Sequence, residues 1–497
     1  MSAAVLEQSV LAQGDFLIFW WLQPSVLEVL ASCWRHFHDA EVLKITELNN
    51  PGSYGTYFSL LNLTFIFNIL LDIGINNFNT KNIAQNNQLF QKHFSKIFTL
   101  KLSLSFLYLF VLVIAGYLFD FSYKEMKWLI LIGFNQVLVA IILYLRSNLS
   151  ALLLFKRDGI LSVVDRLILI LFCGYFLWAK SNHELITIDF FIYSQTFAYM
   201  STIIVGLVFL LNYSSIPKLH WDRLFFNLII KKSFPYALLV FLMSIYYYSD
   251  VIMVEQITNN IEAVNYAHGY RFFLAFNMLG YLFAGLLLPI FSKLIKDKDN
   301  VVPVSWLSFK LIFLLSAIIG VSIWIYKSDI LSWRYGIVNY ELDHSSETFG
   351  WLMVSFIAVS CNYIFGTLLT ANENLKSLNI LAIFGIIINI SLNLILIPKS
   401  GSVGAAFASA CTQFFVLIIQ IFLCFRYFEF KFHLKSTLQI TSAIITFLLG
   451  AISLSIYSNL EMQYNFIFTL MLGFLIGLIH NIFNRKELFH LLKTSKS

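Results

Sequence analysis

Charge is scarce in this chain of 497 residues: only 12% are Asp, Glu, Lys or Arg, against about 25% in an average soluble domain. A large soluble domain is excluded on that ground. Cysteine is sparse as well, and the five present (Cys33, Cys173, Cys361, Cys411, Cys424) are odd in number, scattered and mostly inside apolar runs. Neither a disulfide framework nor a metal-ligand spacing can be read from them. No Pro-, Gly- or Ser-rich linker divides the sequence. No glycine-rich phosphate loop, His-Glu-x-x-His pair or nucleophile elbow is present, so we expect neither an enzyme nor a cofactor, and no use of bound ATP. The first apolar stretch lacks a preceding Lys or Arg and a small-residue cleavage site, so a signal peptide is not expected.

What the chain does contain is 59% apolar residues and a mean hydropathy of +0.77. Runs of about 20 apolar residues, each enough to span a bilayer as a helix, fall near 54–75, 100–121, 127–145, 161–179, 190–211, 234–254 and 272–291. Six more fall near 306–326, 348–371, 377–397, 402–424, 438–457 and 463–483. A weaker one lies near 16–34. The fold class read from this is all-α, a polytopic membrane protein with about 13 to 14 transmembrane helices.

The net charge of +6 raises the question of an acidic partner, and its distribution answers it. With the segment after 54–75 facing the cytoplasm and sides alternating from there, the cytoplasmic loops and tail carry about 21 Lys and Arg, the opposite loops about 8. The excess sets orientation, with a cytoplasmic C-terminus. It forms no compact basic patch of the kind nucleic acid needs.

A weak internal repeat is visible: NNPGSYGTYFSLLN (49–62) resembles NNIEAVNYAHGYRFF (259–273). Repeated helix groups are the usual trace of a transporter built from two halves. The expected organisation is an atypical N-terminal segment (1–48), N-terminal lobe helices (49–211), an amphipathic linker (212–233), a six-helix C-terminal lobe (234–424), and two extra helices with a basic tail (425–497). The linker contains LHWDRLFFNLIIKK, which reads either as a helix lying on the membrane surface or as a solvated loop.

Ionisable side chains inside a span cost about 2.5–3.5 kcal/mol at the bilayer centre and usually face a cavity or a partner. Few are present. In NLTFIFNILLDIGINN (62–77), Thr64, Asn68, Asp72 and Asn76 recur every four residues, predicting one polar stripe on a helix. Lys81 follows it. In SIYYYSD (244–250), Tyr246 and Tyr247 sit one turn before Asp250. His268 sits one turn before Arg271. Lys101 and Lys310 lie close enough to span ends to snorkel.

Asp72 and Asp250 read either as cavity-lining groups that bind a coupling cation or sugar hydroxyls, or as partners in interhelical hydrogen bonds. Arg271 reads either as a bidentate clamp on a pyrophosphate or as an anchor to lipid headgroups. Asparagines, Asn389 and Asn393 among them, suit carbohydrate and helix contacts alike. The substrate and cleft candidates are therefore Asn68, Asp72, Lys81, Tyr247, Asp250 and Arg271, with Asp72 and Asp250 as coupling-ion candidates and no metal site.

The segment NISLNLILIPKSGSVGAAFASA (389–410), together with YGTY (54–57), LLDIGINNFNTKNIA (70–84), SDVIMV (249–254) and LLLPIFSKL (286–294), resembles the Wzx-like polysaccharide flippases of the multidrug/oligosaccharidyl-lipid/polysaccharide exporter superfamily. The first helix of that family would fall near 25–46, where this chain carries Arg35, His36, His38, Asp39, Glu41 and Lys44. The resemblance implies two pseudo-repeated helical lobes around a central cleft in the bacterial inner membrane. It implies alternating access for an oligosaccharide repeat unit on undecaprenyl pyrophosphate, serving O-antigen, capsule or exopolysaccharide assembly. It further implies proton or sodium coupling, contact with membrane lipids, and association with a polysaccharide polymerase and a chain-length regulator, but not with nucleic acid. A cation-coupled multidrug antiporter of the same superfamily and a membrane-embedded polymerase are the alternatives.

Overall fold

The computed structural model describes residues 44–47, 49–76, 79, 83, 90–152, 154–176, 187–211, 213, 219–428, 430, 434–458 and 461–480. The weak candidate span at 16–34 and Lys81 lie outside them. Among the described residues there is no strand. The helices are α1 (Ser53–Phe67), α2 (Phe90–Leu118), α3 (Tyr123–Ala151), α4 (Phe155–Gly174), α5 (Ile188–Leu211) and α6 (Arg223–Ile257). They continue with α7 (Asn260–Lys296), α8 (Val302–Tyr335), α9 (Asn339–Ala371), α10 (Leu375–Phe428), α11 (Leu434–Tyr457) and α12 (Met462–Ile479).

Each of the thirteen apolar runs is mainly helical over its described residues. Among the described residues ten helices are long and apolar enough to cross a membrane, and one of them, α10, carries two of the predicted runs. The other two runs fall in α4 and α7. The protein is a multi-pass membrane protein.

Without water in the hydrocarbon, side-chain hydroxyls turn back onto their own helix. Thr99, Ser103 and Ser105 on α2 each donate to the carbonyl four residues earlier, at 2.9, 3.0 and 2.8 Å. Helix starts at the water boundary are capped by side chains instead. Ser122 and Glu125 form a reciprocal capping box on α3. The Glu47 carboxylate accepts from the Gly52 and Tyr54 amides at 2.6 and 2.8 Å at the start of α1.

The chain divides into two compact units between Leu238 and Leu239, inside α6. The N-terminal unit has a core of Phe94, Ile97, Tyr144, Leu145, Leu161 and Phe226 with their neighbours. The C-terminal unit packs α7, α8 and α10 around α9, its core running through Phe291, Ile364, Phe365, Leu368 and Ala382. The helices α11 and α12 lean on α8 through Ile318, Ala443, Phe447 and Ala451.

The two halves of the sequence repeat open α1 and α7. Tyr54 and Tyr57 of the first, and Tyr266 and Tyr270 of the second, are all buried.

One feature of α10 positions the site described below. Three residues after Pro398 the helix bends at Gly401, whose φ of 51° and ψ of −131° suit only glycine. A Cβ there would collide with the Glu262 carboxylate. That carboxylate accepts from the Ser402 amide at 2.8 Å and pairs with His344 Nε2 at 2.9 Å, so it caps the second limb of α10 from α7. Gly404 then lets that limb pass Leu396, whose carbonyl oxygen would lie 2.6 Å from an added Cβ.

Gly401→Ala is expected to cost about 2–4 kcal/mol, combining a strained backbone with a displaced cap. Thermal unfolding of the detergent-purified variant measures it. A shift indistinguishable from zero would mean that the bend is not fixed by this residue.

Candidate functional site

Asp250 lies on α6 inside the C-terminal unit and is 1% exposed. Its Oδ1 accepts from Asn389 Nδ2 at 2.9 Å and Asn393 Nδ2 at 2.7 Å. Its Oδ2 accepts from Ser409 Oγ at 2.7 Å and the Tyr266 hydroxyl at 3.1 Å. Two carboxylate oxygens offer about four lone-pair sites, and all four are engaged.

Asn389 and Asn393 come from the first limb of α10, Ser409 from the second, and Tyr266 from α7. The bend at Gly401 therefore brings both limbs of one helix onto a single acid. Ser249 donates to Asn389 Oδ1 at 3.1 Å and Asn393 Nδ2 lies 3.3 Å from the same oxygen. Asn393 Oδ1 has no hydrogen-bond partner among the described residues.

The arrangement can do two things chemically. It holds a carboxylate on four donors with no cationic partner among the described residues, and it keeps one amide oxygen, Asn393 Oδ1, open to a further group. Among the described residues no three His, Cys, Asp or Glu side chains converge on a metal position.

Tyr247, one turn before Asp250, faces other company. With Tyr246, Asn362, Tyr363, Gln413 and Gln420 it lines a cavity of about 170 Å³ within the C-terminal unit. Tyr246 and Gln413 stand four residues from Asp250 and Ser409, so this space begins one helical turn away from the acid on both α6 and α10. Among the described residues no charged side chain lines it.

Arg271, on α7, is 5% exposed rather than turned to the lipid boundary. His268, one turn earlier, is buried with its Nδ1 3.3 Å from Ser345 Oγ.

The polar stripe of α1 is corrected by the structure. The α-helix stops at Phe67, Asn68 opens a 3-10 turn to Leu71, and the chain then passes through Ile73 at φ 46° and Gly74 at φ 76°. Thr64, Asn68, Asp72 and Asn76 therefore do not share one helical face.

Lys101 on α2 closes this turn. It does not snorkel: it is 2% exposed, its ammonium lies 2.6 Å from Asp72 Oδ1, and it donates to the Leu71 carbonyl at 3.1 Å. A cation on the last carbonyl of the turn satisfies the helix end and its dipole. Asp72 also accepts from the Asn76 amide at 3.2 Å.

Sequence reasoning missed Tyr266 and Ser409 as partners of Asp250. The four-residue spacing of Asn389 and Asn393 was the available signal for the amide half of the site.

Residues 50–295 match the family described as polysaccharide biosynthesis protein. The fold is similar over 93% of this chain to a lipid II flippase, MurJ, in an inward closed conformation (98% of that chain, TM-score 0.71, 16% identity). That family match spans just under half of the chain, and the similarity to the flippase is one of fold. Other solved transporters share the fold. One is an inward-facing multidrug resistance MATE transporter (TM-score 0.61, 11% identity, 85% of this chain and 99% of that one). Another is a transporter from Pyrococcus furiosus, described as having a binding pocket of reversed polarity (TM-score 0.55, 10% identity, 86% and 98%). No curated protein matches this chain in sequence.

Proposed function

We propose that the protein is a flippase that moves undecaprenyl-pyrophosphate-linked oligosaccharide repeat units across the bacterial inner membrane by alternating access. The repeat units would serve O-antigen, capsule or exopolysaccharide assembly. The observation that carries the reading is a polysaccharide-biosynthesis match over 50–295 on a fold similar to that of a flippase for another lipid-linked saccharide. In this reading the C-terminus is cytoplasmic, and a polymerase and a chain-length regulator act on the product at the outer face.

Asp250 is the coupling group of this proposal. Its four donors make a carboxylate affordable without a fixed cation, and Asn393 Oδ1 is an oxygen in reserve. A proton or a sodium ion entering the site displaces or rotates one or more of these donors, and because they sit on both limbs of α10 and on α7, the exchange is felt across the bend. Arg271 is the candidate clamp for the pyrophosphate.

The test is a chromosomal deletion. Loss of surface polysaccharide together with accumulation of lipid-linked repeat units on the cytoplasmic side, both reversed by the wild-type gene, is the expected result. Normal polysaccharide combined with hypersensitivity to cationic dyes would instead establish the drug-antiporter alternative.

A further inference from the structure

The end of the N-terminal unit where α1, α3 and α5 begin holds a second polar space, unconnected with the chemistry of Asp250. It measures about 150 Å³, and Asn49, Asn50, Lys124, Trp128, Thr187 and Asp189 are among the residues that line it. A single water needs only ~10–15 Å³ by the same measure, so a ligand of several atoms fits.

Trp128 is 3% exposed, and its indole Nε1–H has no acceptor among the described residues. An indole nitrogen can only donate, so no reassignment of its atoms satisfies it, whereas a bound oxygen would. Beside it the exposed Lys124 carries its ammonium over the Trp128 ring, 4.6 Å from the centroid. That contact holds a cation at the same wall.

The three helix starts themselves are not what the pocket offers, because each is already capped: α1 by Glu47, α3 by Ser122 with Glu125, and α5 by Thr187, whose Oγ1 accepts from the Phe190 amide at 3.3 Å. What the pocket offers is side chains of mixed character. Trp128 and Lys124 donate, Asp189 accepts, and the amides of Asn49 and Asn50 and the Thr187 hydroxyl can do both. Asp189, 2.9 Å from Lys127, is an acceptor that a fully ionised phosphate, having no donor, leaves unused. A polyhydroxylated ring, which donates and accepts around its rim, matches the set.

We propose that this pocket binds one sugar ring of the saccharide, with a ring or hydroxyl oxygen on Trp128 Nε1 and Lys124 and a hydroxyl donating to Asp189. The positive-inside pattern predicts that this end faces outward, so the pocket is a holding site on the side of release. The identity of the ligand as part of the transported saccharide rests on the flippase reading above.

The experiment uses the full-length protein in detergent and, as probes, the methyl glycosides of glucose, galactose, N-acetylglucosamine and glucuronic acid, observed by saturation-transfer NMR. Wild type should transfer saturation to at least one of them. Trp128→Phe, which keeps the ring and removes the N–H, and Lys124→Ala, on an exposed side chain, should each weaken that glycoside by about tenfold, the size of one lost hydrogen bond to a charged or buried donor. Lys124→Ala keeps the test decisive if Trp128→Phe fails to fold.

No transfer to any glycoside, equal transfer in wild type and Lys124→Ala, or displacement of the glycoside by millimolar inorganic phosphate would each overturn the assignment. A chain that restores surface polysaccharide in the deletion strain but binds no glycoside would sink the pocket alone. Binding by a chain that leaves lipid-linked repeat units accumulating would sink the flippase reading alone.

Discussion

Asp250→Asn should fold and fail to transport, whereas Asp250→Ala should fail to fold well. The difference follows from which atoms face the carboxylate. On the Oδ1 side stand two amide groups, Asn389 Nδ2 and Asn393 Nδ2, which can only donate. On the Oδ2 side stand two hydroxyls, Ser409 and Tyr266, each of which can reverse its role and accept. An asparagine at 250 therefore fits in one orientation, oxygen toward the two amides and NH2 toward the two hydroxyls, with every bond kept.

Its stability should stay within about 1 kcal/mol of wild type, since each net hydrogen bond is worth only about that much. The charge is gone, and with it the group that attracts a proton or sodium ion. Transport of lipid-linked saccharide into the outer leaflet of proteoliposomes should fall to the level of protein-free vesicles, whatever gradient is imposed. Alanine instead strands three buried donors, Asn389, Asn393 and Tyr266, and the half-buried Ser409, each buried one costing about 1–3 kcal/mol unless it finds another acceptor. Thermal unfolding and a transport assay on the same two variants separate these outcomes. Gradient-dependent transport by Asp250→Asn would remove Asp250 from the coupling role.

Much of the architecture was legible because the bilayer imposes one rule on every span: about 20 apolar residues with the backbone satisfied internally. Runs such as 306–326 and 438–457 obey it and are helices. The same rule made Lys101 hard to place. At the edge of a run, a lysine near water and a lysine folded inward onto Asp72, 29 residues away, look identical in sequence.

The stripe from Thr64 to Asn76 was misread for a related reason. Helical spacing continues through residues that the chain takes in another conformation: the left-handed turn at Ile73 and Gly74 breaks the helix, and a cation from α2 satisfies the Leu71 carbonyl where it ends. At Asp250 the sequence displayed each half of the site separately. SDVIMV supplied the acid and NISLN the paired amides, and Asn389 comes 139 positions after Asp250. Only the packing of α6 against the bent α10 joins them. Pro398 announced a bend but not its consequence, which is that Ser409, beyond it, returns to the same acid as Asn393, before it.

The pair in the N-terminal unit gives the second large effect, and its asymmetry makes the prediction sharp. Lys101 is 2% exposed while the Asp72 side chain is 33% exposed, so the two partners do not share the consequences of losing each other equally. In Asp72→Ala the ammonium keeps the Leu71 carbonyl at 3.1 Å but loses its only carboxylate contact among the described residues. Stranding a buried charge in this way costs about 3–5 kcal/mol. In Lys101→Met the buried charge itself is removed, an unbranched apolar chain of similar length fills its place, and Asp72 turns to water. The cost should be about 1 kcal/mol or less, because replacing a buried ion by a fitting apolar group is often neutral.

The double variant Asp72→Ala/Lys101→Met should then be more stable than Asp72→Ala alone, a non-additivity that only direct coupling between the two side chains produces. Unfolding midpoints of the three proteins in one detergent decide it. If Asp72→Ala proves as mild as Lys101→Met, the ammonium has reached water or another acceptor, and the pair does not determine where α1 ends.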